Sequence, residues 1–259
     1  MKAPRLGLAF ITAVLALGGL NPAEAQRNDP LPRFESPVCP GIMGLELDSA
    51  LTMVERIRQI AGDLGIRLAN GDSGDCEPNI LVAFVEDGQA FLHRLQQNNR
   101  HLFAELSPHE RRDLLASPGP AHVLTTVRTR SRDGMPLFGR ENLVDPPQTS
   151  MWSAHSRIYT ATRNDITAAL ILFDRDEIEG LSIAQLADYA ALRSLTRTLP
   201  SGESIADLFD ADAASRPDGL TGTDLAFLQN LYRGIPNLPG SARTANRNRS
   251  ANEGGTGAD

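Results

Sequence analysis

A chain of 259 residues with a formal net charge of −7 has length for one sizeable domain, and its acidity excludes the basic surface that nucleic acid needs. Lys2 is the only lysine, so arginine supplies almost every cation, and no run of them forms a basic cluster.

The first 25 residues have the three parts of a cleavable export signal. Lys2 and Arg5 open it, residues 6–20 form an apolar run, and Ala23-Glu24-Ala25 sets small residues where a signal peptidase reads. The run is short for a transmembrane helix and the chain turns polar after it. The expectation is a mature chain beginning at Gln26, periplasmic or extracellular, with no membrane insertion. Losing two cations and one anion with the signal (Lys2, Arg5, Glu24) takes the charge from −7 to −8. In an oxidising compartment Cys39 and Cys76 should pair as a disulfide, adding roughly 3–4 kcal/mol on the chain-entropy model. No histidine lies near either one in sequence, which argues against a metal pair.

Residues 26–40 are proline-rich and aperiodic and read as an extended arm. Residues 48–64 read as a helix, because Leu51, Val54, Ile57, Ala61 and Leu64 recur every three or four positions and Gly65 can cap the end. A polar loop at 70–78 leads into a buried strand at 80–85, followed by a short helix over 89–95. Ser107-Pro108-His109-Glu110 starts another helix, with Ser as cap, Pro at the first helical position and Glu closing a capping box. A turn at 118–120, a strand at 122–130 and a long loop at 131–149 come next. Two further strands are expected at 156–161 and 166–173, then a helix at 183–197 capped by Ser182 and Gln185, and a last helix at 224–233 ending at Gly234. Residues 241–259 have almost no apolar side chains and should be disordered. The fold class expected is α+β, a single domain over residues 41–240 with a mixed sheet and packed helices.

Several short motifs dissolve on inspection. Gly71-Asp72-Ser73-Gly74 copies the nucleophile tetrapeptide of trypsin-like proteases, but no histidine precedes it. His109-Glu110 begins a zinc-protease HExxH motif, yet position 113 is Asp. His93, His101, His122 and His155 have no spacing that gathers three ligands, and the acidic run Asp174, Asp176, Glu177, Glu179 lacks the glycine and spacing of a calcium loop.

The order from residue 166 onward says more. A strand leads through an acidic turn to the helix Leu186-Ala187-Asp188-Tyr189-Ala190-Ala191-Leu192-Arg193-Ser194-Leu195. Later comes Leu220-Thr221-Gly222-Thr223-Asp224, then apolar residues, then Leu231-Tyr232 and Gly234. This resembles the C-terminal half of zincin-type, matrixin-like metalloproteases, where an edge strand precedes the HExxH helix and a later helix reads Leu-Ser-x-x-Asp and ends Leu-Tyr-Gly. The resemblance covers about a third of the chain. It implies a zincin-like C-terminal half in an exported bacterial protein and places the zinc helix at 186–195. Ala187 and Ala191 then stand where histidines would bind, and Asp188 stands where the general-base glutamate would be. The third ligand is missing, and the segment Ser204 to Phe209 has no methionine turn.

Alanine methyls hold no zinc, so the expectation is a pseudoenzyme without metal or other cofactor. It would bind a peptide or envelope protein, or serve as an envelope scaffold. The candidate groove lies between strand 166–173 and the following helix, near Asp188, Tyr189, Arg193 and His155, where an extended peptide would join by strand addition. The competing class is a metal-independent hydrolase pairing Asp188 with His155 or Glu179. The small-residue face Ile183, Leu186, Ala187, Ala190 and Ser194 equally suits a buried core helix with no ligand at all.

Overall fold

The structure, a computed structural model, describes residues 29–70, 76–137, 159–212 and 215–241. The signal segment, the Gly71-Asp72-Ser73-Gly74 tetrapeptide, His155 and the tail after Ser241 lie outside the described residues. In chain order the elements are β1 (Arg33–Phe34), β2 (Pro40–Met43), α1 (Leu47–Asp63), β3 (Ile80–Val85), α2 (Gly88–Asn98), α3 (Pro108–Ala116), β4 (Ala121–Ser131), β5 (Thr162–Asp174), α4 (Ile183–Leu195) and α5 (Gly222–Arg233). The fold is α+β with a mixed sheet, as the alternation of patterns implied.

β5 is the centre of the sheet. Antiparallel β4 runs along almost its whole length from Thr162 to Phe173, taking one edge. Parallel β3 and the short β1 therefore share the other edge, and parallel β2 lies outside β3. Strand alternation divides the side chains between two helical layers. Ile80, Val82, Phe84, Ala169, Ile171 and Phe173 face α1, α4 and α5 in the larger core. Ala83, Leu124 and Leu172 face Leu92 of α2 and Phe103 on the other side.

Two expectations need correction. The strand expected at 156–161 is irregular over its described residues 159–161, with 156–158 outside the described residues. The strand expected at 166–173 starts earlier, at Thr162, as one thirteen-residue strand, β5. Its polar start hides the pattern, because Asp165 is buried there beside Arg163 and Arg130, with Nε–O distances of 2.9 and 3.3 Å. The register with β4 also slips at Thr126/Val127, leaving Thr167 as the extra residue of a bulge. The arm is not merely extended either. It contains β1, β2 begins at Pro40, and the Arg33 guanidinium donates to the Leu231 and Gly234 carbonyls at 2.7 and 2.5 Å. No local periodicity encodes such ties.

Cys39 and Cys76 are disulfide-bonded across 6.1 Å between Cα atoms. Tethering residues 37 apart stabilises by about 4 kcal/mol on the chain-entropy model and holds the start of β2 to the loop before β3. Among the described residues no helix is long and apolar enough to cross a membrane.

Candidate functional site

α4 starts where the capping box sets it. The Gln185 N–H donates to Ser182 Oγ at 3.1 Å, and the Ser182 N–H donates back to Gln185 Oε1 at 3.0 Å. From Leu186 to Leu195 the helix is buried on nearly every side, with Arg193 the partly exposed exception. Ala187 and Ala191 are fully buried in the larger core. Their small size is what lets α4 lie close to the sheet and α1.

Asp188 does not face a groove. It is 2 % exposed, and both carboxylate oxygens are engaged: Arg56 Nε and Nη2 donate at 2.6 and 2.9 Å, and the Leu220 N–H donates at 2.9 Å. The hydrogen bond from Arg56, with the carboxylate charge, raises the guanidinium pKa above its ordinary value despite partial burial. A Cβ added at Gly219 would come within 2.6 Å of Asp188 Oδ2, so the 219–220 turn closes directly over the carboxylate. Asp188 thus ties α1, α4 and the turn before α5 together. Glu179 is exposed, so it does not join this buried carboxylate. Tyr189 is buried beside Phe209 and Phe173, with ring centroids 4.9 and 5.8 Å away, and burial raises its phenol pKa.

The expected docking edge is also displaced. β5 is paired on both sides, so no strand can add there. β4 forms the sheet edge opposite β2, and the ladder shows which of its groups point outward. The Asp174 N–H donates to the Pro120 carbonyl at 2.9 Å and the Arg132 N–H to the Ala161 carbonyl at 3.0 Å. Ala121↔Phe173 and Ser131↔Thr162 are therefore non-hydrogen-bonded pairs. Stepping inward by twos, Ala121, Val123, Thr125, Val127 and Thr129 direct N–H and C=O away from β5. Ser131 uses its outward N–H on the Met135 carbonyl at 2.9 Å, and Arg130 bridges to Pro136. No strand occupies the rest of this edge among the described residues.

At Val123 and Thr125 the edge borders a cavity of about 220 Å³, walled by Glu110 and Leu114 of α3 on one side and by Arg193 and Arg197 at the end of α4 on the other. An ion pair from Arg197 Nη2 to Glu110 Oε1 joins the two walls. Glu110 Oε2 accepts from the Ser107 N–H at 2.8 Å, so one carboxylate both caps α3 and meets α4. Partial burial pushes the Glu110 carboxyl up, but the Ser107 hydrogen bonds with the Arg197 and His109 charges outweigh it, and its pKa falls below the usual carboxylate range. Arg193 lies beside the Tyr189 ring, 6.0 Å from its centroid, and its Nε is sealed from solvent without a hydrogen-bond partner.

A second buried polar pair sits at the C-terminal end of β5, next to the cavity-lining stretch of β4. His122 Nε2 is 3.9 Å from Asp174 Oδ1, which accepts the Gly88 N–H at 2.7 Å. The imidazole is enclosed, so the pair packs the entry to α2 and is not presented to solvent.

Of the sequence-derived candidates among the described residues, only Arg193 lines the cavity. Val123, Thr125, Glu110 and Arg197 were not among them. The four-residue spacing of Arg193 and Arg197 was the one local signal pointing to them. Compared with protein-family models, characterised proteins and solved structures, the chain matches none.

Proposed function

We propose that this is an exported, non-catalytic binding or envelope scaffold protein that takes an extended peptide by strand addition at the outer edge of β4. The observation that carries this is the row of outward N–H and C=O groups at Ala121, Val123 and Thr125 beside an open cavity. An edge of that kind supplies backbone hydrogen bonds, and the adjacent cavity takes a side chain for specificity. The disulfide is compatible with export.

The reading of a zincin-like fold that has lost its chemistry draws support from α4. Its Ala187 and Ala191 fill the core at the positions the resemblance gives to zinc ligands, while the strand before it, β5, is central and not the edge strand of the resemblance. The Asp188 carboxylate is committed to Arg56 and Leu220, which favours the binding reading over a hydrolase built on that residue.

The test uses proline at an outward position. Val123→Pro removes one outward donor while leaving the inner ladder to β5 intact. An N-acetylated, C-amidated peptide of alternating Val and Thr should slow amide exchange at Val123 and Thr125 in the parent protein, and the variant should bind it at least about tenfold more weakly. Equal binding by a folded Val123→Pro protein would place the peptide elsewhere and sink the proposal.

A further inference from the structure

We infer that the cavity at the β4 edge is a carboxylate site, taking an aspartate or glutamate side chain of the docked segment with Arg193 as its anchor. This rests on the strand-addition reading and adds the chemistry of the ligand. In a chain of net charge −7, the cavity walls carry two guanidinium groups against one carboxylate. Glu110 already answers Arg197, so the protein's own carboxylate displays what this wall accepts. Arg193, in the last turn of α4, which ends at Leu195 and not at the expected 197, forms no ion pair among the described residues.

A cation in the last turn of a helix is favourable by itself, which accounts for Arg193 lying at this position. It does not account for a partly buried guanidinium whose charge meets only the neutral Tyr189 hydroxyl, with its Nε–H lacking an acceptor, an arrangement that leaves the charge unpaired until an anion arrives. The Tyr189 ring beside it limits how the guanidinium plane can turn. The outward groups of Val123 and Thr125 border the same cavity, so a strand held there would direct a side chain toward Arg193. At about 220 Å³, the space suits one such side chain with a few waters.

The experiment compares three N-acetylated, C-amidated peptides, Val-Thr-Val-X-Val-Thr-Val with X as Glu, Gln or Lys, by calorimetry on the intact oxidised protein. Amidation removes the terminal carboxylate, so only the side chain is read. The Glu peptide should bind about 10- to 100-fold more tightly than the Gln peptide, with the Lys peptide weakest, and the difference should shrink in high salt. Arg193→Gln should erase the difference. Equal affinity for the Glu and Gln peptides in the unaltered protein overturns the carboxylate site and leaves strand addition standing. If no peptide binds, acetate against chloride at matched ionic strength separates the two ideas. A specific acetate shift of the Arg193 Nε–H resonance keeps the carboxylate site and discards strand addition; no shift discards both.

Discussion

On one face of the sheet, α1, α4 and α5 share a continuous buried cluster that runs from Phe34 to Leu231. On the other, α2 and α3 cover a cluster of five buried residues, and α3 itself has none. The first face is also cross-tied. Asp224, fully buried, accepts from Ser204 Oγ and from the Ile205 and Thr221 N–H groups, and the Tyr232 hydroxyl donates to the Leu195 carbonyl while accepting the Phe34 N–H. The second face holds the space: besides the cavity walled by α3, one of about 230 Å³ lies between α2 and the sheet, lined by Leu81, Phe91, Leu95 and Leu124. Stability is concentrated in one layer and accessible volume in the other. A binding edge placed where they meet can yield to a ligand on the α3 side without loosening α4.

Core truncations on the two faces should separate most widely. Leu192→Ala, in the fully buried α4 core, should cost about 3–4 kcal/mol in urea unfolding, whereas Leu114→Ala in α3 should cost about 1 kcal/mol or less. Comparable losses would mean the layers are equally built and would break the comparison.

Asp188→Ala should come next, at about 2–3 kcal/mol. It strands the partly buried Leu220 N–H and leaves Arg56, still 39 % exposed at its side chain, to find water. Asp188→Asn keeps one acceptor and should cost less. An Asp188→Ala protein of undiminished stability would mean a solvated carboxylate and would reopen that residue as a groove candidate.

The smallest effect concerns pH. Glu110 has a lowered folded pKa, so its contribution is present above its unfolded value and is lost as pH falls through the folded value, on the acid side of the ordinary glutamate range. The group is half-exposed, so the loss should be local: amide exchange in α3 should speed up on acidification while α4 stays protected. Simultaneous loosening of α4 would show that the Arg197–Glu110 pair couples the two layers more strongly than their packing suggests.

Much of the secondary structure was legible in the sequence because its determinants are local. Ile80–Val85 is a strand with the bounds its apolar run implied, and the Ser107/Glu110 and Ser182/Gln185 capping boxes form as read. The last helix was read two residues short: it starts at Gly222, with Thr221 and Asp224 forming a third capping box. That box is what the Leu-x-x-x-Asp element of the resemblance encodes here. The site was far less legible. Asp188 looked like a groove residue because its partner Arg56 is 132 positions away. β5 looked like a docking edge because nothing in its own residues announces pairing on both sides.

Caps, helical faces and the buried strand depend on neighbours within about four residues, so the sequence alone determined them, along with the cysteine pair and the alanines at 187 and 191. Tertiary structure decided which edge of which strand stayed open, which carboxylate was consumed and which arginine at the β4 edge was left without an ion-pair partner. Those outcomes turn on strand register and on the packing of segments far apart in the chain. There a one-residue slip reverses which groups point outward, and no local pattern records it.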